Sequence, residues 1–381
     1  MYYFDQAATS LKKPKAVADA VYEALSSETI GNPSRGGHAA STNGSRMFFR
    51  VREKIKELFQ ASNYDVVLTK NATEALNLAI KGMFSDGDHI ITTILEHNSV
   101  LRPLYELEKQ GVTLDFIACD KQTGVLLYNE IEKCINLDTK AMIVTAASNV
   151  TGITTDLKLL AELCKKYDLK LIVDGAQASG IVDISLDNLG VDVFCFTGHK
   201  SLYGPQGVGG MCVKKGIEIR PIFSGGSGVG TFSKTHPTTM PEALEAGTPN
   251  AHGISGLLAG IEYVLAQSVS KLSASTYDLA KYFYEHVRLL EGVQIYAAPL
   301  RHMSTGVVSL NIRNYDASEI ATLLEEKYEI LVRAGAHCAP LAHIFFNTKS
   351  QGMVRFSFSA MNTMDEVKVA IRAMEELVCD G

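Results

Sequence analysis

Between residues 65 and 215 the chain alternates short, almost unbroken apolar runs with amphipathic stretches of helical period. The runs at 66–69, 89–93, 114–117, 141–145, 169–174, 192–197 and 210–213 predict seven strands, and 73–81, 100–109, 128–135 and 157–167 predict helices between them. A strand that is apolar through most of its length has to be buried on both faces. The pattern therefore predicts an α/β fold whose mainly parallel seven-stranded sheet lies between layers of helices. Ligands of such sheets bind in the crevice beyond the carboxyl ends of the strands. From Pro221 to Pro249 glycine, serine and threonine take over, which predicts a long functional loop. Helical stretches at 256–268, 275–290, 318–328 and 364–378, with strands at 293–296, 306–312 and 353–359, suit a smaller α+β domain at the C-terminal end. The expected division is a large domain at 15–260 and a small one made of 1–14 and 261–381.

Charge and composition narrow the partners. With 381 residues, a formal charge of −6 and a pI near 6.0, the chain lacks the basic face that a nucleic-acid partner demands. No run of apolar residues is long enough for a membrane span. Met1 to Asp5 carries neither the basic nor the long apolar region of a secretion signal, so a cytoplasmic location is expected. The seven cysteines are scattered without a CxxC pair, which fits neither a metal site nor a disulfide framework. Cys119, Cys195 and Cys212 fall in apolar runs and read as small hydrophobes, whereas Cys338 lies in a Gly/Ala-rich stretch that reads as a loop.

Two ionisable residues stand where the strand runs end. The run at 169–174 closes on Asp174, followed by Gly175, Ala176 and Gln177. The run at 192–197 closes on Thr197 and opens through Gly198 and His199 to Lys200 in a glycine-rich turn. Each alone reads as a helix-capping aspartate or a solvated lysine. Together, at the same edge of one sheet, they suit pyridoxal phosphate: a lysine to carry the aldehyde as a Schiff base and a carboxylate to keep the pyridine nitrogen protonated. Thr197 and His199 can hold an anionic group beside them. Asn71, Ala72 and Thr73 follow a strand and open a helix, a ready anion site, although Thr73 can equally be a plain cap. No Walker lysine or GxGxxG accompanies it, so a monophosphate fits better than a nucleotide. His97 and Asn149 also follow strand runs. An imidazole there can stack on an aromatic cofactor and move protons, and an amide can donate to a phenolate or a carboxylate.

These residues carry a resemblance. The segments Asp5 to Thr9, Asn32 to Arg35, Asn71 to Ala75, Glu96 to Asn98 and Ser148 to Gly152 resemble those of the cysteine desulfurases in the class V aminotransferase group. So do Val173 to Gln177, Gly198 to Lys200, Glu245 to Asn250, Arg333 to Cys338 and Val354 to Ser357. The resemblance implies a fold-type-I pyridoxal phosphate transferase that converts L-cysteine to L-alanine and leaves a persulfide on Cys338 for an acceptor. It implies Lys200 as the cofactor's anchor, Asp174 on its ring nitrogen, Gln177 on its phenolic oxygen and His97 stacked on its ring. Ala72, Thr73, Thr197 and His199 would hold the phosphate, with Thr248 reaching in from the neighbouring subunit of a homodimer with shared active sites. Arg355, with Asn149, would bind the substrate carboxylate. His337, next to Cys338, is expected to favour its thiolate. Related members often carry a second histidine where this chain has Ala336. The short stretch from Arg333 to Cys338 is similar to the shorter-loop members, whose persulfide often needs a partner protein for release. The alternatives within the group are a selenocysteine lyase acting on L-selenocysteine, a β-lyase and an aminotransferase. A scaffold that kept the fold and lost the chemistry is the alternative of another class.

Overall fold

The computed structural model describes residues 1–33, 36–297 and 304–379; Ser34 and Arg35 of the Asn32 to Arg35 segment lie outside them. Seven strands form the central sheet: β1 (Tyr64–Thr69), β2 (His89–Thr93), β3 (Thr113–Ile117), β4 (Thr139–Thr145), β5 (Lys170–Asp174), β6 (Val193–Thr197) and β7 (Gly209–Lys214). Their order is β1-β7-β6-β5-β4-β2-β3, and every pairing is parallel except the two made by β7. The expected sheet is therefore present, at nearly the expected bounds. Its strands are buried along most of their length, β2 and β6 at every position, except the edge strand β3, where only Ile117 is buried. Helices cover both faces. Ala72–Met83 and Asn98–Glu108 pack in a core with Val67, Ile90, Ile143 and Ile172. Ala39–Phe59, Leu157–Lys166 and Ala251–Gln267 pack in another with Val66, Val144, Leu171 and Phe194.

A second sheet, of four antiparallel strands, comprises β8 (Val293–Tyr296), β9 (Val307–Ile312), β10 (Arg333–Gly335) and β11 (Met353–Ser357). The helices Val269–Val287, Ala317–Tyr328 and Met364–Cys379 share its core. Phe4 belongs to that core and is fully buried, with its ring 5.3 Å from Phe358. Burying a phenylalanine contributes about 2 to 3 kcal/mol, enough to tie the first residues down. Backbone bonds from Phe4 N–H to Leu331 O (2.8 Å) and from Ser357 N–H to Phe4 O (2.7 Å) complete the anchor and place Asp5 beside β11.

Three stretches differ from the sequence expectation. Residues 128–135 split into a 3-10 turn, Tyr128–Glu130, and a four-residue helix, Ile131–Cys134. The helices Lys15–Ser26 and Ala39–Phe59 were not anticipated. The region 221–249 contains no helix or strand, as expected. Among the described residues no helix is long and apolar enough to cross a membrane, and no cluster of ligating side chains can hold a metal ion.

Candidate active site

The carboxyl ends of β4, β5 and β6 open into a cavity of about 220 Å³. Register brings the chemistry to one level: Thr145 pairs with Asp174, and Asp174 with Cys195, two positions before Thr197. Thr145, Asp174, Thr197, His199 and Lys200 all line the cavity. The first turn of the helix Ala72–Met83 closes one side. Asn71 caps it, its side-chain oxygen accepting from Glu74 N–H at 2.9 Å. Thr73 is therefore not the cap, and with Ala72 it faces the cavity beside amides of a helix start. Gly209 permits this closure, because a Cβ there would lie 2.8 Å from Asn71 Cα.

Asp174 is buried, and its Oδ1 accepts from Ala176 N–H at 2.9 Å. Burial pushes its carboxyl up, while the Ala176 bond and the Lys200 charge pull it down. Lys200 is held down to about 8, chiefly by burial, with Arg355 and Arg333 adding and Asp174 opposing. About a tenth of its amine is thus unprotonated at pH 7, far more than for an ordinary lysine. His97 caps the helix Asn98–Glu108 and pairs through Nδ1 with Ser99 Oγ at 2.8 Å. Burial and then the Lys200 charge hold it at about 4, so its ring is neutral. His199 is held at about 4 for the same reasons, and its Nδ1 lies 3.1 Å from Thr9 Oγ1. Gln177 lines the cavity and donates to Ala7 O at 3.1 Å.

Asn149 and Arg355 meet on the opposite wall. Arg355, on β11, is 2% exposed; it donates to Asn149 O at 3.1 Å and to Asp5 Oδ1 at 2.7 Å. Burial lowers its pKa and Asp5 supports it. Asn149 Nδ2 donates to His337 O at 2.6 Å. Two groups facing the cavity are conspicuous because they are unpaired. Thr197 Oγ1 and Arg355 Nε are buried with no hydrogen-bond partner among the described residues. Such atoms cost about 1 to 3 kcal/mol each unless a ligand completes them.

Those two orphans give the test for pyridoxal phosphate. A phosphate fits the Thr197 hydroxyl and the amides at the helix start, a pyridinium nitrogen fits Asp174, and a carboxylate fits the spare donor of Arg355. The residues present fit the group. The cavity brings together Ala72, Thr73, His97, Asn149, Asp174, Gln177, Thr197, His199, Lys200 and Arg355.

Two expected residues stand apart from it. Thr248 lies in the long loop and lines a separate cavity with Lys70, Gly207 and Asn250. Cys338 is exposed in the turn between β10 and the helix Pro340–Phe345. Its carbonyl accepts from Asn98 N–H at 2.7 Å, tying it to the segment that carries His97. The expectation that His337 favours a Cys338 thiolate is corrected. The His337 ring is buried, held down to about 2 chiefly by burial, and bonded to His343 and to Arg333 O, so it is a neutral group turned inward. Three cavity neighbours were missed from sequence. Arg333 adds a second guanidinium. Asp5 holds Arg355. Glu96, fully buried, accepts from Thr93 Oγ1 at 2.6 Å and Thr145 N–H at 2.9 Å, locking the His97 segment to the end of β4.

The model of the family described as aminotransferase class-V matches residues 2–369. A probable cysteine desulfurase of Pyrococcus abyssi is 33% identical over 99% of this chain and 94% of its own length. A cysteine desulfurase of Salmonella agona is 32% identical over 96% of this chain and 90% of its own. Among solved structures, the apo cysteine desulfurase of Thermococcus onnurineus superposes with a TM-score of 0.92 at 32% identity, covering 100% of this chain and 95% of that one.

Proposed function

Because the chain belongs to the aminotransferase class-V family, a family of pyridoxal phosphate enzymes, and its relatives are cysteine desulfurases, we propose that it converts L-cysteine to L-alanine and captures the sulfur on Cys338. The observation that carries this reading is the opposition of Lys200 and Asp174 in one cavity with two unpaired anion-seeking groups. When bound, pyridoxal phosphate supplies an electron sink that stabilises negative charge at the substrate's Cα.

The chain's own residues set up the rest. Asp174 would offer a buried carboxylate to the ring nitrogen and keep that atom protonated. Thr197, His199, Thr73 and the amide of Ala72 would hold the phosphate, and Gln177 the phenolic oxygen. His97, neutral and held by Ser99, would stack on the ring. Arg355 and Asn149 bind the substrate carboxylate, and Asp5 turns the guanidinium so that Nε faces it. Lys200, with its pKa near 8, takes the proton from Cα and returns one to Cβ. The Cys338 thiolate forms an S–S bond to the substrate sulfur as the C–S bond breaks, and the electron pair stays with the substrate carbon.

Thr248 lines a cavity other than its own chain's Lys200 cavity, which supports a homodimer in which it completes the neighbour's phosphate site. The exposed position of Cys338 supports transfer of the sulfur to an acceptor protein that docks on the enzyme. Seven cysteines without a disulfide support a reducing, cytoplasmic location.

The test is product analysis of the pyridoxal phosphate-loaded enzyme with L-cysteine. Alanine is expected, and Cys338→Ala should abolish its formation while the cofactor's absorbance is kept. Pyruvate with ammonia, or wild-type turnover in Cys338→Ala, would refute the reading. Turnover of L-selenocysteine alone would assign the lyase activity instead.

A further inference from the structure

The turn that carries Cys338 has an unusual backbone. Gly335, His337 and Cys338 all have positive φ, at 104°, 50° and 56°. Two consecutive left-handed residues with side chains need a surrounding structure that imposes them. Backbone bonds supply part of it: Asn149 Nδ2 to His337 O (2.6 Å), Asn98 N–H to Cys338 O (2.7 Å) and Ala339 N–H to Ala336 O (3.0 Å).

The remainder is a chain of side chains behind the turn. His337 Nε2 lies 3.3 Å from Arg333 O, His337 Nδ1 lies 3.4 Å from His343 Nε2, and His343 Nδ1 lies 2.8 Å from Thr348 Oγ1. The two rings stack at 5.5 Å, and all three side chains are buried. Burial lowers the pKa of both histidines, so both rings are neutral. The carbonyl at one end then sets the direction of the bonds. A carbonyl only accepts, so His337 Nε2 carries its proton towards Arg333 O. His337 Nδ1 is left as an acceptor and takes the Nε2 proton of His343. His343 Nδ1 in turn accepts from the Thr348 hydroxyl at 2.8 Å, the shorter of that hydroxyl's two contacts, the other being to His343 O at 3.4 Å. The relay runs one way, from Thr348 to β10, and each member fixes the orientation of the next.

We propose that His343 and Thr348 are positioning residues for Cys338: their hydrogen-bond relay locks the His337 ring and thereby holds the Cys338 turn in its left-handed form beside the His97 segment. The inference rests on the reading of Cys338 as the sulfur-accepting thiol. Neither residue touches the cavity, and their effect reaches the reaction only through His337, which does.

The test compares His343→Phe, which keeps the ring's bulk without a donor, with His343→Gln, which restores one. Thr348→Val and Thr348→Ser form a second pair whose small volume change guards against misfolding. In the pyridoxal phosphate-loaded enzyme, His343→Phe and Thr348→Val should lower kcat for alanine formation by about tenfold or more. KM for L-cysteine and the cofactor's absorbance should stay unchanged. His343→Gln and Thr348→Ser should recover within about threefold of the parent. In both impaired variants, hydrogen exchange of the amides at 336–339 should accelerate, a readout independent of turnover. Unchanged exchange there, or glutamine as impaired as phenylalanine, would overturn the proposal. Should Cys338→Ala prove dispensable, the assignment of the thiol fails, and the exchange data still decide whether the relay braces the turn.

Discussion

Replacing Glu96 with glutamine should make the protein progressively more stable than the parent as pH rises from 5 to 8. Glu96 is fully buried and its carboxyl is pushed up to about 8, chiefly by burial, against an ordinary value of 4.5. Its Oε1 accepts two hydrogen bonds, while Oε2 is buried without a partner among the described residues. The unfolded chain ionises this group above pH 4.5 and the folded one only near 8. Across that window the unfolded state binds fewer protons. The carboxyl's contribution is therefore whole below 4.5, shrinks as pH rises, and is lost above 8. Each pH unit corresponds to about 1.4 kcal/mol, so the two units from 5 to 7 amount to about 3 kcal/mol. Glutamine keeps the shape and both acceptor bonds and does not titrate, so the difference between variant and parent isolates this group. Denaturant unfolding of the apo-proteins at pH 5, 6, 7 and 8 measures it. A difference that stays flat, or a parent that gains on the variant with rising pH, would refute a protonated Glu96.

The unpaired groups of the cavity give two further expectations. Thr197→Val removes a buried hydroxyl without a partner, so the apo-protein should lose no stability, while the dissociation constant for pyridoxal phosphate rises about tenfold, the equivalent of one hydrogen bond to a charged group at about 1.5 kcal/mol. Absorbance titration of the apo-protein measures the affinity, and unchanged affinity would remove Thr197 from the phosphate site. Arg355→Lys keeps the charge and loses the fork, so KM for L-cysteine should rise by about tenfold or more with the cofactor's absorbance intact. An unchanged KM would place the substrate carboxylate elsewhere, with Arg333 the next group to test.

The sheet was legible because burial on both faces leaves no polar positions to interrupt a strand, and the site was legible wherever a strand's end marked it. Asp174, Thr197 and Lys200 follow directly from that rule. Asp5 did not, because its partner is distant in sequence, the Asp5–Arg355 bond spanning 350 positions, and Glu96 did not, because the bond from Thr145 that ties it to the sheet crosses 49 positions. The helix Ala39–Phe59 had a readable signal, with Phe48, Val51, Ile55 and Leu58 buried at helical spacing. His337 shows the opposite failure. It is adjacent to Cys338 in the chain, yet the turn sends its ring inward to His343. Neighbours in sequence are not neighbours in space once φ becomes positive. Thr248 is beyond reach for another reason, since nothing within one chain brings it to the Lys200 cavity.

The Lys200 amine, lowered to about 8 and opposed by Asp174, is the group proposed to carry the cofactor. Borohydride reduction of the pyridoxal phosphate-loaded protein, followed by peptide mass mapping, tests this directly. One phosphopyridoxyl adduct per chain is expected, on Lys200, absent in Lys200→Ala. An adduct on another lysine, such as Lys13, or equal labelling in Lys200→Ala, would contradict it.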